Sequence, residues 1–243
     1  MDLLNGKIRS IYFKYLSAAF GSALITSVYS IVDMAMVGQY QGPDGTATLA
    51  VVAPIWNIIY SLGLLMGIGG SILFSTAWGT GTAGSQRANE YFTAAMIGST
   101  TLAALSWLAL LMFEEPILVF FGADSSLLAL AQTYLSPIKV VVPFFLFNQM
   151  LAAFLRNDGH PGLATAGVLA GGLFNVVGDY VFVFTFGLGI FGAGLATAIG
   201  AAISFAVMLS HFWFKTNTLA LVKGDRMAGK LKEISLRLLR IFC

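Results

Sequence analysis

Six long apolar segments limit what this chain can fold into. An α-helix needs roughly 20 apolar residues to cross the core of a bilayer, and each segment is longer than that. Only 10% of the 243 residues are charged, whereas a soluble domain normally carries about a quarter. The sequence therefore predicts an all-α membrane protein, a bundle of six transmembrane helices. The predicted spans are 11–38, 49–78, 91–113, 128–155, 162–186 and 190–214.

The distribution of charge predicts how the bundle is oriented. Arg87 and Arg156 lie after the second and fourth spans, whereas the first, third and fifth loops contain no lysine or arginine. Because cytoplasmic loops are enriched in basic residues, we expect both termini in the cytoplasm, which requires an even number of spans. The expected location is the plasma (inner) membrane, with the chain crossing it several times. Acidic residues occupy the first and third loops: Asp44, Glu114, Glu115 and Asp124.

The chain divides into a six-helix transmembrane lobe, residues 1–214, and a basic tail, residues 215–243. Alternation of basic and apolar residues in the tail is typical of an amphipathic helix on the cytoplasmic membrane surface, or of a linker to something else. No signal-peptide cleavage pattern follows Lys7, so the first span is interpreted as a retained helix. The basic residues of the tail are Lys215, Lys223, Arg226, Lys230, Lys232, Arg237 and Arg240.

Several polar side chains fall inside the predicted spans at one depth. With 1.5 Å of rise per residue, Asp33 and Asp179 lie roughly 8–10 Å below the external boundary. Asn175 precedes Asp179 by four residues, so the two share a helix face. Depth alone predicts one polar layer in the outer half of the membrane, but it does not predict that these side chains meet. The layer contains Asp33, Tyr134, Asn175, Asp179 and Thr197.

The chemistry of this layer suits a small cation. Carboxylate, carboxamide and hydroxyl oxygens are hard ligands for Na⁺, and a buried carboxylate near another can instead carry a proton. Intramembrane ionisable residues usually serve function, although hydrogen bonding between helices is the simpler interpretation for Tyr134 and Thr197. Lys139, in the fourth span, is expected to pair with a carboxylate or to extend toward the interface, a structural role ahead of a functional one.

Other chemistries lack the residues they need. His160 lies in a glycine–proline turn and His211 at a helix end, so we expect no shared histidine face for a metal. Cys243 is the only cysteine, which excludes an intrachain disulfide. No nucleophile elbow or phosphate-binding loop is present, so an enzyme is not expected. No cofactor is expected either, apart from the Na⁺ or proton that the polar layer could bind as a coupling ion. A net charge of +2 without a basic arm argues against a nucleic-acid partner.

Three motifs resemble those of the multidrug and toxic compound extrusion (MATE) family, in the MOP superfamily. The first is IVDMAMVG at 31–38, and the second runs from GGS to AWG over 69–79. The third and most specific runs from Arg156 to Thr197 and contains R-x-x-G-x-P, N-x-x-x-D and G-x-G-x-x-G-x-G-x-A-T. The resemblance covers almost the whole chain.

The resemblance implies secondary active efflux driven by Na⁺ or H⁺. The implied substrates are small amphipathic, often cationic, organic compounds, and the lipid bilayer is the other expected partner. It implies that Asp33, Asn175, Asp179 and Thr197 form the cation-binding set, with Na⁺ a candidate ligand and Tyr134 a neighbour. Lys139 is not part of the motif.

Members of the family typically have two six-helix lobes and about twice this length. The resemblance therefore implies the N-terminal lobe and a partner, a second six-helix lobe. The chain is interpreted as a fragment of a longer transporter or as a half-size protein that pairs. Two other functions stay open: a flippase for lipid-linked sugars, which should have a more basic cavity, and a scaffold or partner subunit that transports nothing.

Overall fold

The computed structural model describes residues 8–80, 82–224 and 227–242. Over these residues every regular element is helical, which confirms the all-α prediction. Lys7, Arg226 and Cys243, which the sequence analysis used, lie outside the described residues. The α-helices are α1 (Ile8–Gln41), α2 (Pro43–Trp78), α3 (Thr82–Phe120), α4 (Ser125–Lys139), α5 (Val142–Asn157), α6 (Pro161–Asp179), α7 (Gly189–Leu209) and α8 (Met227–Phe242).

Five helical stretches are long and apolar enough to cross a membrane one by one. A sixth crossing requires α4 and α5 together, and these two helices meet at an angle of 59°. The span predicted over 128–155 therefore consists of two helices with a bend between them. Pro143 explains the break, because proline has no N–H to donate and its ring clashes with the carbonyl four residues earlier. Val141 accordingly has non-helical dihedral angles, φ −109° and ψ 8°.

The loops between helices are shorter than the sequence suggested. Glu114 and Glu115, expected in the third loop, lie within α3, which continues to Phe120. Pro116 lies there too, and Phe113, at the end of the predicted span, has kinked dihedral angles (φ −126°, ψ 29°). Asp44, expected in the first loop, lies in the first turn of α2. Asp124 does precede a helix, and its carboxylate accepts hydrogen bonds from the first turn of α4.

Glycines allow the central helices to pack backbone to backbone. A Cβ atom on Gly63 of α2 would lie 2.6 Å from the carbonyl oxygen of Leu146 in α5. In the same way, a Cβ on Gly171 of α6 would lie 2.4 Å from the carbonyl oxygen of Gly200 in α7. Neither distance is possible for a larger residue without movement. Close helix approach of this kind is typical of membrane bundles, and it brings α6 and α7 together where the polar residues lie.

Large apolar side chains cover the outside of the bundle. Phe20 and Ile31 on α1 are 65% and 69% exposed, and Met112 on α3 is 71% exposed. A soluble protein would not leave so many large apolar groups in contact with water. Together with the spanning helices, this surface shows a protein that crosses the membrane several times.

The segment after α7 packs on the bundle. Leu219 is buried, and the backbone N–H groups of Ala220 and Val222 donate to Asn89 Oδ1 and Thr93 Oγ1 of α3, both at 2.9 Å. α8 then lies against α2 and α3, with Ile234 fully buried. Two polar contacts fasten α8 to α3: Tyr91 to Glu233 and Lys230 to Glu90.

Candidate functional site: a buried polar cluster

The five polar residues that the sequence placed at one depth come together in one group, here called the polar cluster, in which hydrogen bonds join Asp33 to Tyr134 and Asn175 to both Thr197 and Asp179. Asp33 comes from α1, Tyr134 from α4, Asn175 and Asp179 from α6, and Thr197 from α7. The two carboxylates and Asn175 are buried. The fold thus supplies the lateral convergence that depth alone could not predict.

Tyr134 joins α4 to α1. Its hydroxyl donates a hydrogen bond of 3.1 Å to Asp33 Oδ2, although the two residues are 101 positions apart in the chain. The same hydroxyl lies within hydrogen-bonding reach of Thr197 on α7. Tyr134 is 3% exposed, so its ring fills space in the core while its oxygen bridges two neighbouring helices.

Asn175 joins α6 to α7. Its Nδ2 donates to Thr197 Oγ1 at 3.1 Å and to Asp179 Oδ1 at 3.5 Å. The second contact follows from the four-residue spacing, which places both side chains on one face of α6. Asp179 is fully buried, and it lies close enough to Asp33 for the two charges to repel each other.

Three buried oxygen atoms in the polar cluster have no hydrogen-bond partner among the residues that the structure describes. They are Asp33 Oδ1, Asn175 Oδ1 and Asp179 Oδ2. Within the described residues, no lysine, arginine or histidine forms an ion pair with either carboxylate. Two buried carboxylates without a positive partner are costly in free energy. A bound cation or proton would remove that cost, and unpaired oxygens from three residues fit a hard cation such as Na⁺.

A close contact between α4 and α7 positions this cluster. A Cβ on Gly194 would lie 2.1 Å from the backbone carbonyl oxygen of Tyr134. Only glycine therefore lets α4 approach α7 at this level, one helical turn before Thr197. Without that approach, the Tyr134 hydroxyl would not lie between Asp33 and Thr197.

A π-helix begins directly after Asp179. It covers Tyr180–Thr185 and separates α6 from the Gly187 turn, where φ is +65°. π-helical turns are rare and are frequently found at functional sites. The sequence had predicted a regular helix through to residue 186, and nothing in its composition indicated the wider turn.

Lys139 does not belong to the polar cluster. Its Nζ forms an ion pair with Glu114 Oε2 at 2.8 Å, joining the end of α4 to α3. Pairing with a carboxylate was one of the two roles expected from the sequence. Its partner was missed because Glu114 was assigned to a loop.

The histidines overturn a second expectation. The rings of His160 and His211 lie 4.6 Å apart, and His211 Nε2 lies 2.6 Å from Asp158 Oδ2. The sequence analysis expected no shared histidine face, and that was wrong. The expectation considered faces of single helices, whereas the fold brings the α5–α6 turn against the end of α7.

Comparison with known proteins decides the family. Residues 18–181 match the protein family described as MatE, which is more than half of the chain. The chain belongs to the MatE family. Four members of the polar cluster lie inside the matched region, and Thr197 lies beyond it.

A relative and two solved structures show the extent of the likeness. The multidrug export protein MepA of Staphylococcus aureus (strain MSSA476) is 26% identical over 221 residues, covering 90% of this chain and 48% of MepA. The MATE transporter VcmN of Vibrio cholerae, in its bent form, has a TM-score of 0.81 at 21% identity, covering 96% of this chain and 54% of VcmN.

A MOP superfamily transporter of Pyrococcus furiosus has a TM-score of 0.82 at 20% identity and covers 96% of this chain and 52% of its own. At such identities the structures show a shared fold, one lobe of a MATE transporter. The chain spans about half the length of the curated relatives it matches. The name of MepA describes export and not catalysis.

Proposed function

We propose that this chain forms the N-terminal lobe of a cation-coupled efflux antiporter, in which the polar cluster binds the coupling ion, Na⁺ or H⁺. The exported compounds are small, amphipathic and often cationic. The observation that carries the proposal is the set of three unpaired oxygens on Asp33, Asn175 and Asp179. Membership of the MatE family and the export function named for MepA support the same conclusion.

Ion binding at the polar cluster would act on the arrangement of four helices. Asp33, Tyr134, Asn175 and Thr197 connect α1, α4, α6 and α7 through side-chain contacts. A ligand shifts a conformational equilibrium only by binding one state better than the other. An ion that neutralises the two carboxylates favours the state in which they approach each other, and its release favours their separation. This difference would couple the ion gradient to export across a cavity shared with a second six-helix lobe.

With this function we propose a location in the plasma membrane and an orientation that places both termini in the cytoplasm. The polar cluster then lies in the outer half of the membrane, on the side from which the coupling ion enters. Arg87 and Arg156 would lie on the cytoplasmic side, as expected for short basic loops.

Charge removal at the two carboxylates tests the proposal. We expect Asp33→Asn and Asp179→Asn each to abolish export of a fluorescent cationic dye from liposomes that contain the complete gene product and an imposed Na⁺ or H⁺ gradient. Both amides keep the size of the side chain, so the loss would report the charge. Dye efflux with separate Na⁺ and H⁺ gradients distinguishes the two coupling ions.

The matched control is Asp44→Asn, an aspartate at the exposed start of α2. This variant should export normally. Melting temperatures of all three variants in detergent separate a functional loss from misfolding. Normal export with unchanged ion dependence in both cluster variants would contradict the proposal, and would favour a scaffold in which the acidic residues are dispensable.

A flippase for lipid-linked sugars is less well supported. Such a protein would need free basic groups in its transport path to bind anionic phosphates. Lys139, in the fourth predicted span, is already paired with Glu114. The polar cluster itself is acidic, which suits a cation.

A further inference from the structure

Three potential metal ligands meet at the end of the bundle remote from the polar cluster. Asp158 lies in the turn between α5 and α6, His160 follows it, and His211 lies in the 3₁₀ turn Ser210–Trp213 after α7. One nitrogen from each imidazole and one carboxylate oxygen lie within 4.8 Å of one another. α6, 19 residues long, separates this group from Asp179 by about 28 Å.

The group is enclosed by protein. The side chains of His211 and Asp158 are 0% and 3% exposed, while that of His160 is 27% exposed. A buried acidic group and a buried imidazole are unusual at a helix end unless they serve each other or a ligand. The partial exposure of His160 leaves a path by which an ion can enter.

The distances suit a tetrahedral ion. Asp158 Oδ2 lies 2.6 Å from His211 Nε2 and 3.9 Å from His160 Nδ1. Metal–ligand bonds of 2.0–2.1 Å at tetrahedral angles place ligand atoms about 3.4 Å apart. The first separation would widen by about 0.8 Å and the second would shorten by about 0.5 Å.

Hydrogen bonds behind the three ligands hold them in place. His160 Nε2 lies 3.0 Å from Thr216 Oγ1, and His160 Nδ1 donates to the Asp158 backbone carbonyl at 2.8 Å, a hydrogen bond that a metal ion at Nδ1 would replace. The Thr218 hydroxyl donates to Asp158 Oδ1, and the Thr218 backbone N–H donates to Oδ2 at 3.3 Å. Metal-binding histidines and carboxylates commonly have such outer partners, which orient them.

We infer that Asp158, His160 and His211 form a binding site for a transition-metal cation of the Zn²⁺ class, with water as the fourth ligand. Zn²⁺ is commonly coordinated by imidazole nitrogens and carboxylate oxygens, whereas Mg²⁺ is coordinated by oxygen ligands. The bound metal would tie the α5–α6 turn to the segment that leads from α7 toward α8. This site is independent of the polar cluster and of ion-coupled export.

Direct binding of metal to purified protein tests the inference. The complete chain should be prepared without a polyhistidine tag and with Cys243→Ser, so that no thiol competes. Titration with ZnCl₂ in a calorimeter should give one ion per chain and a Kd of about 10 µM or tighter. Co²⁺ in place of Zn²⁺ should give the strong visible absorption of a four-coordinate site.

Two histidine substitutions identify the ligands, because His160 and His211 are the only histidines in the chain. His160→Gln and His211→Gln should each weaken Zn²⁺ binding at least tenfold, and the double variant should abolish it. Thr216→Val, which removes an outer partner, should weaken binding about tenfold. Asp44→Asn serves as the control and should bind like the parent.

If a variant folds poorly, thermal melting curves measured with and without Zn²⁺ test the inference. Zn²⁺ should raise the melting temperature of the parent and of Asp44→Asn, but not that of His160→Gln. Because the His160 side chain is partly exposed, its replacement should leave the fold intact even if His211→Gln does not. The inference is overturned if the parent shows no saturable binding at one ion per chain, or if His160→Gln binds Zn²⁺ as tightly as the parent.

Discussion

Each carboxylate of the polar cluster has one oxygen paired and one unpaired. Asp33 accepts from Tyr134 through Oδ2 and leaves Oδ1 without a partner, while Asp179 interacts with Asn175 through Oδ1 and leaves Oδ2 without one. The paired oxygens fix the orientation of each side chain. A cation can then bind the unpaired oxygens without breaking any hydrogen bond of the cluster. The site is preorganised in this sense, which favours selective binding.

At this scale, Tyr134→Phe tests whether the hydroxyl orients Asp33. The ring would still fill its buried site, but Asp33 Oδ2 would lose its donor. Leaving a buried acceptor unsatisfied typically costs about 1–3 kcal/mol, so we expect a lower free energy of unfolding in detergent and slower ion-driven export. Denaturant unfolding followed by tryptophan fluorescence measures the first effect.

Tyr180→Phe is the matched control, because the Tyr180 side chain is 59% exposed and makes no contact with the polar cluster's carboxylates in the described structure. It should unfold like the parent. Equal stability of the two variants, with equal export, would show that the Tyr134 hydroxyl contributes nothing to the site.

Among the helices, the contact between α4 and α7 determines the geometry of the cluster. α4 reaches α7 because the helix is interrupted near Pro143, so α4 does not continue along the axis of α5. Gly194 then permits contact with the Tyr134 backbone. The break and the glycine act together, since a straight helix over both segments would direct Tyr134 elsewhere.

Gly194→Ala should therefore destabilise the protein more than an ordinary helix substitution. The added methyl group would overlap the Tyr134 carbonyl oxygen, and overpacking of this kind typically costs about 1–3 kcal/mol. Ion-driven export should fall with stability, because α4 would move away from α7 and carry Tyr134 with it. Thermal unfolding and dye efflux measured on the same preparation would show both effects.

Gly162→Ala is the comparison for this change. Gly162 lies in the first turn of α6, and a Cβ there would meet no atom within 4 Å. Alanine has the higher helix propensity, so this variant should be unchanged or slightly more stable. Similar melting temperatures for the two alanine variants would mean that α4 and α7 are not in contact at Gly194.

The sequence predicted the membership of the polar cluster better than the helices that carry it. Depth could be calculated from helical rise and from the asymmetry of basic residues, so Asp33 and Asp179 were placed in one layer. The distance between the two side chains could not be calculated in this way. It depends on helix packing at close contacts such as that of Gly171 with Gly200, and the sequence does not identify which residues form such contacts. Pro143 was a readable signal for the break between α4 and α5 that the apolar run concealed.

Other features lacked a local signal altogether. The π-helix after Asp179 covers Tyr180–Thr185, and nothing in these residues distinguishes it from the regular helix that the apolar run predicted there. His160 and His211 are 51 positions apart, and only the packing of α7 against the α5–α6 turn brings their rings together. Metal-binding patterns read along one helix miss such pairs.

For the whole molecule, the segment at residues 210–224, which follows α7, packs on the bundle. It begins beside the histidines, where Thr216 and Thr218 contact His160 and Asp158, and continues along α3. Anything attached beyond α8 would therefore have a fixed starting point relative to the lobe.

Asn89→Ala should loosen this segment. The side-chain oxygen of Asn89 accepts from the Ala220 N–H, and its loss removes a partly buried hydrogen bond, at a typical cost of about 0.5–1.5 kcal/mol. Limited trypsin digestion in detergent should then cut faster at Lys215 and Lys223, as followed by mass spectrometry. Asn57→Ala, at an exposed position of α2, should be cut at the rate of the parent. An unchanged cutting rate in Asn89→Ala would show that this bond does not hold the segment.

The placement of both histidines at one end of the bundle has a practical consequence for spectroscopy. The chain contains two imidazole groups, and both lie in the Asp158 group. Isotopic labelling of histidine alone would therefore produce signals from a single location, without assignment of the crowded helical spectrum. Those signals would report the α5–α6 turn while remaining about 28 Å away from the carboxylates along α6. Any change in them on addition of Na⁺ would measure communication from one end of the lobe to the other.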